Sequence, residues 1–284
     1  MRRLPAVFIL SAIFLFSCGI KHDFLKIHFI DARGGSAVLI QTPGGENILV
    51  DSGDVKESFK VAGYLRKEKI GRIDHLILTH PHIDHFGGAF MVLKSFDVAN
   101  VYDNGLDSGD ITAGSGRAGI AESYRSFIRG HVSYKRLKRG DYLSAGGVRL
   151  DVLWPPEGFP ARTVNDTSLV IMVSYGKTRL LLTSDITADS ERRLLLDNDD
   201  LKCDILQVSH HASIDASCAE FLEAAKPGIC VITADKGMAS SRVVKRIKGT
   251  GCRIFNTGED GNITISVFDG GAKAPEVRRA NQRL

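Results

Sequence analysis

The chain opens on a dense apolar run. Leu4 to Phe16 is apolar apart from Pro5 and Ser11, follows Arg2 and Arg3, and ends at Ser17-Cys18. A basic start, a short apolar centre and a small residue at the break describe an export signal, and the run falls short of the roughly 20 residues of a membrane span. Beyond it the pattern changes period. Leu25 to Ile30, Ala37 to Gln41 and Asn47 to Val50 read as strands, with the turn Thr42-Pro43-Gly44-Gly45 joining the last two as a hairpin. From Val55 to Lys69 the apolar positions keep helical spacing, and Ile73 to Leu78 is an apolar run of buried-strand length. Later, Val148 to Leu153, Leu169 to Ser174 and Thr178 to Thr183 read as strands, with Tyr175-Gly176-Lys177 as a second hairpin turn. Helices at Ala188 to Leu196, Ala219 to Ala225 and Ser241 to Lys248 then alternate with strands at Ile205 to Val208 and Gly228 to Ile232. Periodicity alone predicts a mixed α/β domain. The Gly- and Ser-rich stretch Gly105 to Gly119 reads as a surface loop, and the basic end Gly270 to Leu284 as loosely ordered.

At 284 residues with 43% apolar composition the chain can bury one large core. The expected organisation is a signal at residues 1–17, a tether at 18–24, a domain at 25–269 and a tail at 270–284. The tetrapeptide Leu15-Phe16-Ser17-Cys18 resembles the bacterial lipobox, whose cysteine becomes the lipidated first residue. A plain secretory signal or an uncleaved anchor are the alternatives, and every version places the domain outside the cytoplasm. A membrane contact is expected only through the lipid anchor, and no obligate protein partner is readable. With 37 basic and 33 acidic side chains, net charge does not announce a nucleic-acid binder. The local run Lys135, Arg136, Lys138 and Arg139 is either a solvated face or a contact for a phosphate backbone. No two of Cys18, Cys203, Cys218, Cys230 and Cys252 have metal-knuckle or redox spacing, so buried thiols are expected, with one disulfide open.

The segment that carries chemistry is Thr79-His80-Pro81-His82-Ile83-Asp84-His85-Phe86-Gly87-Gly88. An apolar strand delivers His80 to its end, and residues two apart in extended chain point the same way, so His80 and His82 can grip one cation. Asp84 and His85 follow in the turn and would face a second cation, while Gly87 and Gly88 let the backbone pass close by. A merely polar, His-rich turn would be a rare coincidence at this density. Asp185, after the strand Thr178 to Thr183, on its own reads more readily as a helix cap than as a ligand.

The pattern His-x-His-x-Asp-His resembles the signature of the metallo-β-lactamase superfamily, met in full by His80, His82, Asp84 and His85. Within it, the chain is most similar to the extracytoplasmic hydrolase-like domain of the ComEC-like group. That resemblance runs over most of residues 26 to 268, through Phe29-Ile30-Asp31 with Gly35, Val50-Asp51-Ser52-Gly53, Asn165-Asp166-Thr167-Ser168, Leu181 to Ile186 and Val208 to Ser213. It implies a four-layer αββα sandwich and two divalent metal ions, zinc or manganese. It makes Asp185 the bridging carboxylate and places His210 with Asp84 and His85 on the second cation. His211 is left as a supporting or proton-transfer group. Asn165 and Asp166 stand where many superfamily hydrolases carry a further histidine, and an oxygen donor there suits a harder metal. Ser184 and Ala212 replace glycines frequent in the group.

These readings converge on a binuclear hydrolase, with phosphodiester hydrolysis, DNA included among the substrates, as the leading activity. Asp84 would orient the attacking water, His211 would protonate the leaving oxygen, and Ser168 and Ser213 would contact substrate phosphate or cap backbone. Hydrolysis of ester, lactone or lactam bonds is the alternative chemistry. A non-catalytic, metal-stabilised surface or DNA-binding lipoprotein is the alternative class. His22, His28, His75 and His131 are expected outside the metal site.

Overall fold

Strands whose side chains are apolar on both faces need cover on both, and that requirement sets the layers here. In the computed structural model, residues 24–105, 125–131, 133–197, 200–271 and 273–280 are described. The signal segment with Cys18, the tether up to residue 23 and most of the Gly105 to Gly119 stretch lie outside them, while Phe24, expected in the tether, opens the first strand. Strands β1 (Phe24–Phe29), β2 (Val38–Gln41), β3 (Asn47–Val50), β4 (Arg72–Leu78), β5 (Asp97–Asp103) and β6 (Tyr134–Arg136) belong to one sheet. A second sheet holds β7 (Tyr142–Ala145), β8 (Val148–Trp154), β9 (Val170–Tyr175), β10 (Thr178–Leu182), β11 (Ile205–Gln207), β12 (Ile229–Ile232) and β13 (Arg253–Asn256). The chain then returns to the first sheet through β14 (Ile263–Phe268) and β15 (Glu276–Arg279), giving the order β15-β14-β1-β2-β3-β4-β5-β6. The second order is β13-β12-β11-β10-β9-β8-β7. Both expected hairpins form: Gln41 pairs with Asn47, and Tyr175 with Thr178.

Period-two alternation divides the apolar residues between layers. Ile27, Phe29, Ile40, Val50 and Ile77 of the first sheet meet Leu150, Ile171, Leu180, Leu182 and Val231 of the second in the central core. The outer face of the first sheet, with Leu39, Leu49, Leu76 and Val101, is covered by α1 (Ser58–Lys67), and a short turn of helix α2 (Ile83–Phe86) leads into α3 (Ala89–Ser95) on the same side. The outer face of the second sheet, with Leu181, Leu206, Cys230 and Ile232, is covered by α4 (Ala188–Asp197), α5 (Ala219–Ala225) and α6 (Ser241–Gly249). The result is the αββα sandwich.

Packing corrects one expectation, the loose tail, and bears out another, the thiols. The stretch 270–280 is not loose throughout, because β15 pairs with β14 in register from Ile263↔Arg279 to Ser266↔Glu276. Its alternation is masked by charge on an exposed edge. Cys203, Cys218, Cys230 and Cys252 are all free thiols, the first three buried. No helix among the described residues is long and apolar enough to cross a membrane.

In both sheets the parallel strands β3 to β6 and β10 to β13 run the same way within their sheet, so each delivers its C-terminal residues to one edge. Asp51, Thr79 to His80, Ser184 to Asp185 and Ser209 to His211 all follow directly on such strand ends. The two edges meet across a hydrogen bond from Ser184 Oγ to Thr79 Oγ1, 2.6 Å apart.

Candidate metal centre

The His-rich segment turns sharply after β4. His80 is still aligned with the strand, His82 is extended and precedes α2, and the first turn of α2 carries Asp84 and His85. His80 Nε2 and His82 Nδ1 come to 3.0 Å, as expected for residues two apart in extended chain. The close passage behind the turn requires glycine. A Cβ on Gly88 would stand 2.0 Å from the carbonyl oxygen of Ser52, and one on Gly35 would stand 2.4 Å from that of Asp84.

Asp185 lies at the centre. Its Oδ1 is 3.3 Å from His85 Nε2 and 3.4 Å from His211 Nε2, while its Oδ2 is 3.9 Å from His80 Nε2 and 4.0 Å from His210 Nε2. Asp84 Oδ2 is 3.6 Å from His211 Nε2 and 3.9 Å from His85 Nε2. Two groups of donors follow: Asp84, His85, Asp185 and His211 in one, and His80, His82 and Asp185 in the other. Donors about 2.0–2.2 Å from a tetrahedral ion stand roughly 3.3–3.6 Å apart, so the spacing fits cations. One carboxylate serves both groups with different oxygens.

The protein also fixes which ring nitrogens face inward. His85 Nδ1 donates to Asp51 Oδ2 at 2.7 Å, and His211 Nδ1 donates to the carbonyl oxygen of Thr233. Both Nε2 atoms are left buried without a hydrogen-bond partner, pointing at Asp185. Orphaned buried nitrogens are costly, and two of them converging on carboxylates mark a place built for a cation.

The second pair of histidines comes from a strained turn. His210, His211 and Ala212 have φ values of 48°, 54° and 61°, and Ser184 one of 47°. Left-handed backbone at a non-glycine residue costs on the order of 1 kcal/mol or more, and such strain clusters at functional sites. Ser184 and Ala212 thus adopt a backbone conformation that glycine takes more readily.

That turn corrects one assignment. The group with Asp84 and His85 receives His211, whereas His210 stands at the side of the centre, with Nδ1 2.9 Å from Asp215 Oδ1, Nε2 3.0 Å from Asn165 Nδ2 and the same Nε2 4.0 Å from Asp185 Oδ2. Two adjacent residues in left-handed conformation project to different sides, which a strand-end reading cannot resolve. His211, partly buried and tied to Thr233 through Nδ1, turns its Nε2 toward Asp84 and Asp185. Asp166 is likewise turned away: it accepts from Thr163 N, Thr187 Oγ1 and Ser190 Oγ, a structural role. Ser168 is fully buried with an unpartnered Oγ, and Ser213 contributes its backbone N–H to His210 O, closing the turn. His131, His28 and His75 lie outside both groups, the last two against Tyr64 and Tyr102. Of the basic run, Lys138 and Arg139 are taken up by Glu157 and Asp197.

Asp51 was missed as a site residue. It is buried, has φ 60°, and accepts from Thr79 N, Thr79 Oγ1 and His85 Nδ1. An aspartate directly after an apolar strand was the available signal.

Charges among these side chains balance each other. Burial would lift the Asp84 and Asp185 carboxyls, but the neighbouring histidines hold both well below the usual carboxylate range. Burial would depress His85 and His211, yet Asp185 raises both, His211 to about 10. For His80, with little compensation, burial wins and the ring stays neutral. Ligand nitrogens must be unprotonated, so a cation entering at pH 7 displaces protons from His85 and His211. Apparent metal affinity is expected to climb with pH over the range in which His85 and His211 lose their protons, above the ordinary histidine range. Calorimetric titration in buffers of different ionisation enthalpy measures this; proton uptake on binding, or a pH-independent affinity, contradicts it.

Comparison with known proteins agrees with this geometry. The sequence profile described as the metallo-beta-lactamase superfamily matches residues 30–232. The chain is 26% identical over 204 residues to ComE operon protein 3 of Bacillus subtilis, a match spanning 70% of this chain and 25% of that protein. It is 27% identical over 256 residues to competence protein ComA of Neisseria gonorrhoeae, covering 87% and 33% respectively. The chain thus spans a quarter to a third of the length of these curated relatives. Among solved structures, the metallo-beta-lactamase fold protein YhfI of Bacillus subtilis superposes with a TM-score of 0.56 at 18% identity, covering 83% of this chain and 96% of that one. With the sandwich, the signature histidines and the shared aspartate all in place, this chain belongs to the metallo-beta-lactamase superfamily.

Proposed function

We propose that the chain is a binuclear phosphodiesterase of nuclease type, acting outside the cytoplasm with zinc or manganese. The observation that carries the reading is the Asp185 carboxylate, which offers one oxygen to His85 and His211 and the other to His80. A pair of divalent cations at such a site supplies Lewis acidity, acidifying water and stabilising charge on the attacked group. The residues that would hold them are His80, His82 and Asp185 on one side and Asp84, His85, Asp185 and His211 on the other. Asp84, about a third exposed, would orient the attacking water at the mouth. His80 and His85, fully buried, exclude water from beneath. The competence proteins among its relatives favour a nucleic-acid substrate. The lipobox-like segment at Cys18 favours a lipid-anchored, extracytoplasmic location.

The test is metal analysis of the purified protein, paired with turnover of bis-p-nitrophenyl phosphate and single-stranded DNA in added manganese or zinc. Expected are two ions per chain and cleavage abolished by His82→Ala. Bound metal with no phosphodiester cleavage, but with turnover of a lactone or lactam, overturns the substrate class.

A further inference from the structure

A run of left-handed residues, here His210, His211 and Ala212, relaxes unless the chain is fixed on both sides of it. On the near side β11 is fixed by its pairing with β10 and β12. On the far side the support comes from an acid in a costly place. α4 turns Ser190, Glu191 and Leu194 to the interior, and Glu191 is fully buried. Its Oε1 accepts from Ser217 N at 2.8 Å and its Oε2 from Cys218 N at 2.7 Å. The carbonyls of the same stretch are taken by α6, where Arg246 Nη1 donates to Ser217 O at 2.6 Å and to Ala216 O at 3.3 Å. Residues 216–218 are therefore gripped through both kinds of backbone group. From there back to the histidines each step is a hydrogen bond: Ala216 N donates to Ser213 O, Ser213 N to His210 O, and His210 Nδ1 to Asp215 Oδ1.

We propose that Glu191, together with Arg246, is a positioning residue for the cation site of Asp84, His85, Asp185 and His211, clamping residues 216–218 so that the strained turn keeps His211 Nε2 aimed at the two carboxylates. The inference rests on the binuclear reading above. Both side chains act through backbone, Glu191 on Ser217 and Cys218 and Arg246 on Ala216 and Ser217. The place of the acid on α4 fits this role. That helix follows closely on Asp185, and its start also holds Asp166 through Thr187 Oγ1 and Ser190 Oγ. One helix thus fixes the shared carboxylate and the histidine turn relative to each other.

Protein stripped of metal is titrated with zinc, reading the affinity of each site by calorimetry and the fold by melting temperature. In Glu191→Gln the side-chain oxygen still accepts one N–H, but the amide nitrogen faces the other and cannot accept it. The site that includes His211 should weaken by about 10–100-fold, the range found when a group orienting a ligand is removed, while the His80/His82 site keeps its affinity. Arg246→Gln, at a half-buried position, should weaken the same site by about tenfold. In a His211→Ala background Glu191→Gln should cost that site nothing further. Leu194→Ala, which opens a cavity on the same buried face of α4, should lower the melting temperature and leave both affinities unchanged. Equal weakening of the two sites by Glu191→Gln, an undiminished cost in the His211→Ala background, or the same selective loss in Leu194→Ala overturns the proposal and leaves the binuclear reading intact. If Glu191→Gln does not fold, Arg246→Gln decides: selective loss supports the clamp, and unchanged affinities overturn it. Fewer than two ions bound by the unaltered protein overturn both readings.

Discussion

Asp185→Ala is expected to empty both cation sites at once, whereas His82→Ala or His211→Ala should each weaken only one. The prediction follows from the division of its oxygens, Oδ1 toward His85 and His211 and Oδ2 toward His80. Turnover should fall to background, a loss of at least about 10⁴-fold for an enzyme of ordinary rate acceleration. Metal content by mass spectrometry separates the outcomes. If Asp185→Ala keeps one ion at full affinity, the carboxylate is not shared and the binuclear reading fails. The metal-free fold should survive, because Asp185 follows β10 and does not belong to its ladder.

The second large effect is expected at a residue that touches no cation. Asp51→Asn keeps the size and the tolerance of positive φ that the position demands. It exchanges a carboxylate for an amide under His85 Nδ1 and Thr79. With one amide oxygen still accepting from Thr79 N, the amide nitrogen faces His85 Nδ1 and donates to it. The ring hydrogen then moves to Nε2, the atom that must be bare to bind a cation. Metal affinity at the Asp84/His85/Asp185/His211 site should drop by about 10–100-fold. Calorimetric titration checks this, and unchanged affinity would show that Asp51 serves only Thr79. Asp51→Ala should also destabilise the fold, since it leaves Thr79 N buried and unpaired.

Much of this architecture was readable along the chain, because hydrophobic periodicity reports which face of an element is covered. The strands from Ile73 to Leu78 and Thr178 to Thr183, and the helix from Ala188 to Leu196, were legible for that reason. β6, with its exposed Lys135 and Arg136, and β15, at a charged edge, carry no such signal and emerged only from pairing. The thiols are free although composition left a disulfide open.

The candidate site divides along the same line. The sequence alone determined the local cluster His80, His82, Asp84 and His85, because donors within six residues are brought together by one strand end and one turn. It determined that Asp185 and a histidine of the 210–211 pair follow strands, and so reach a common edge. Which histidine turns inward was decided by tertiary structure. The left-handed backbone of that turn depends on its anchors, His211 on Thr233 and His210 on Asp215 and Asn165. Asp51's role, the retreat of Asp166 and the pairing of Asn165 with His210 were decided the same way. Each depends on hydrogen bonds between residues from 21 to 45 positions apart in the chain, and such partners leave no mark on local sequence pattern.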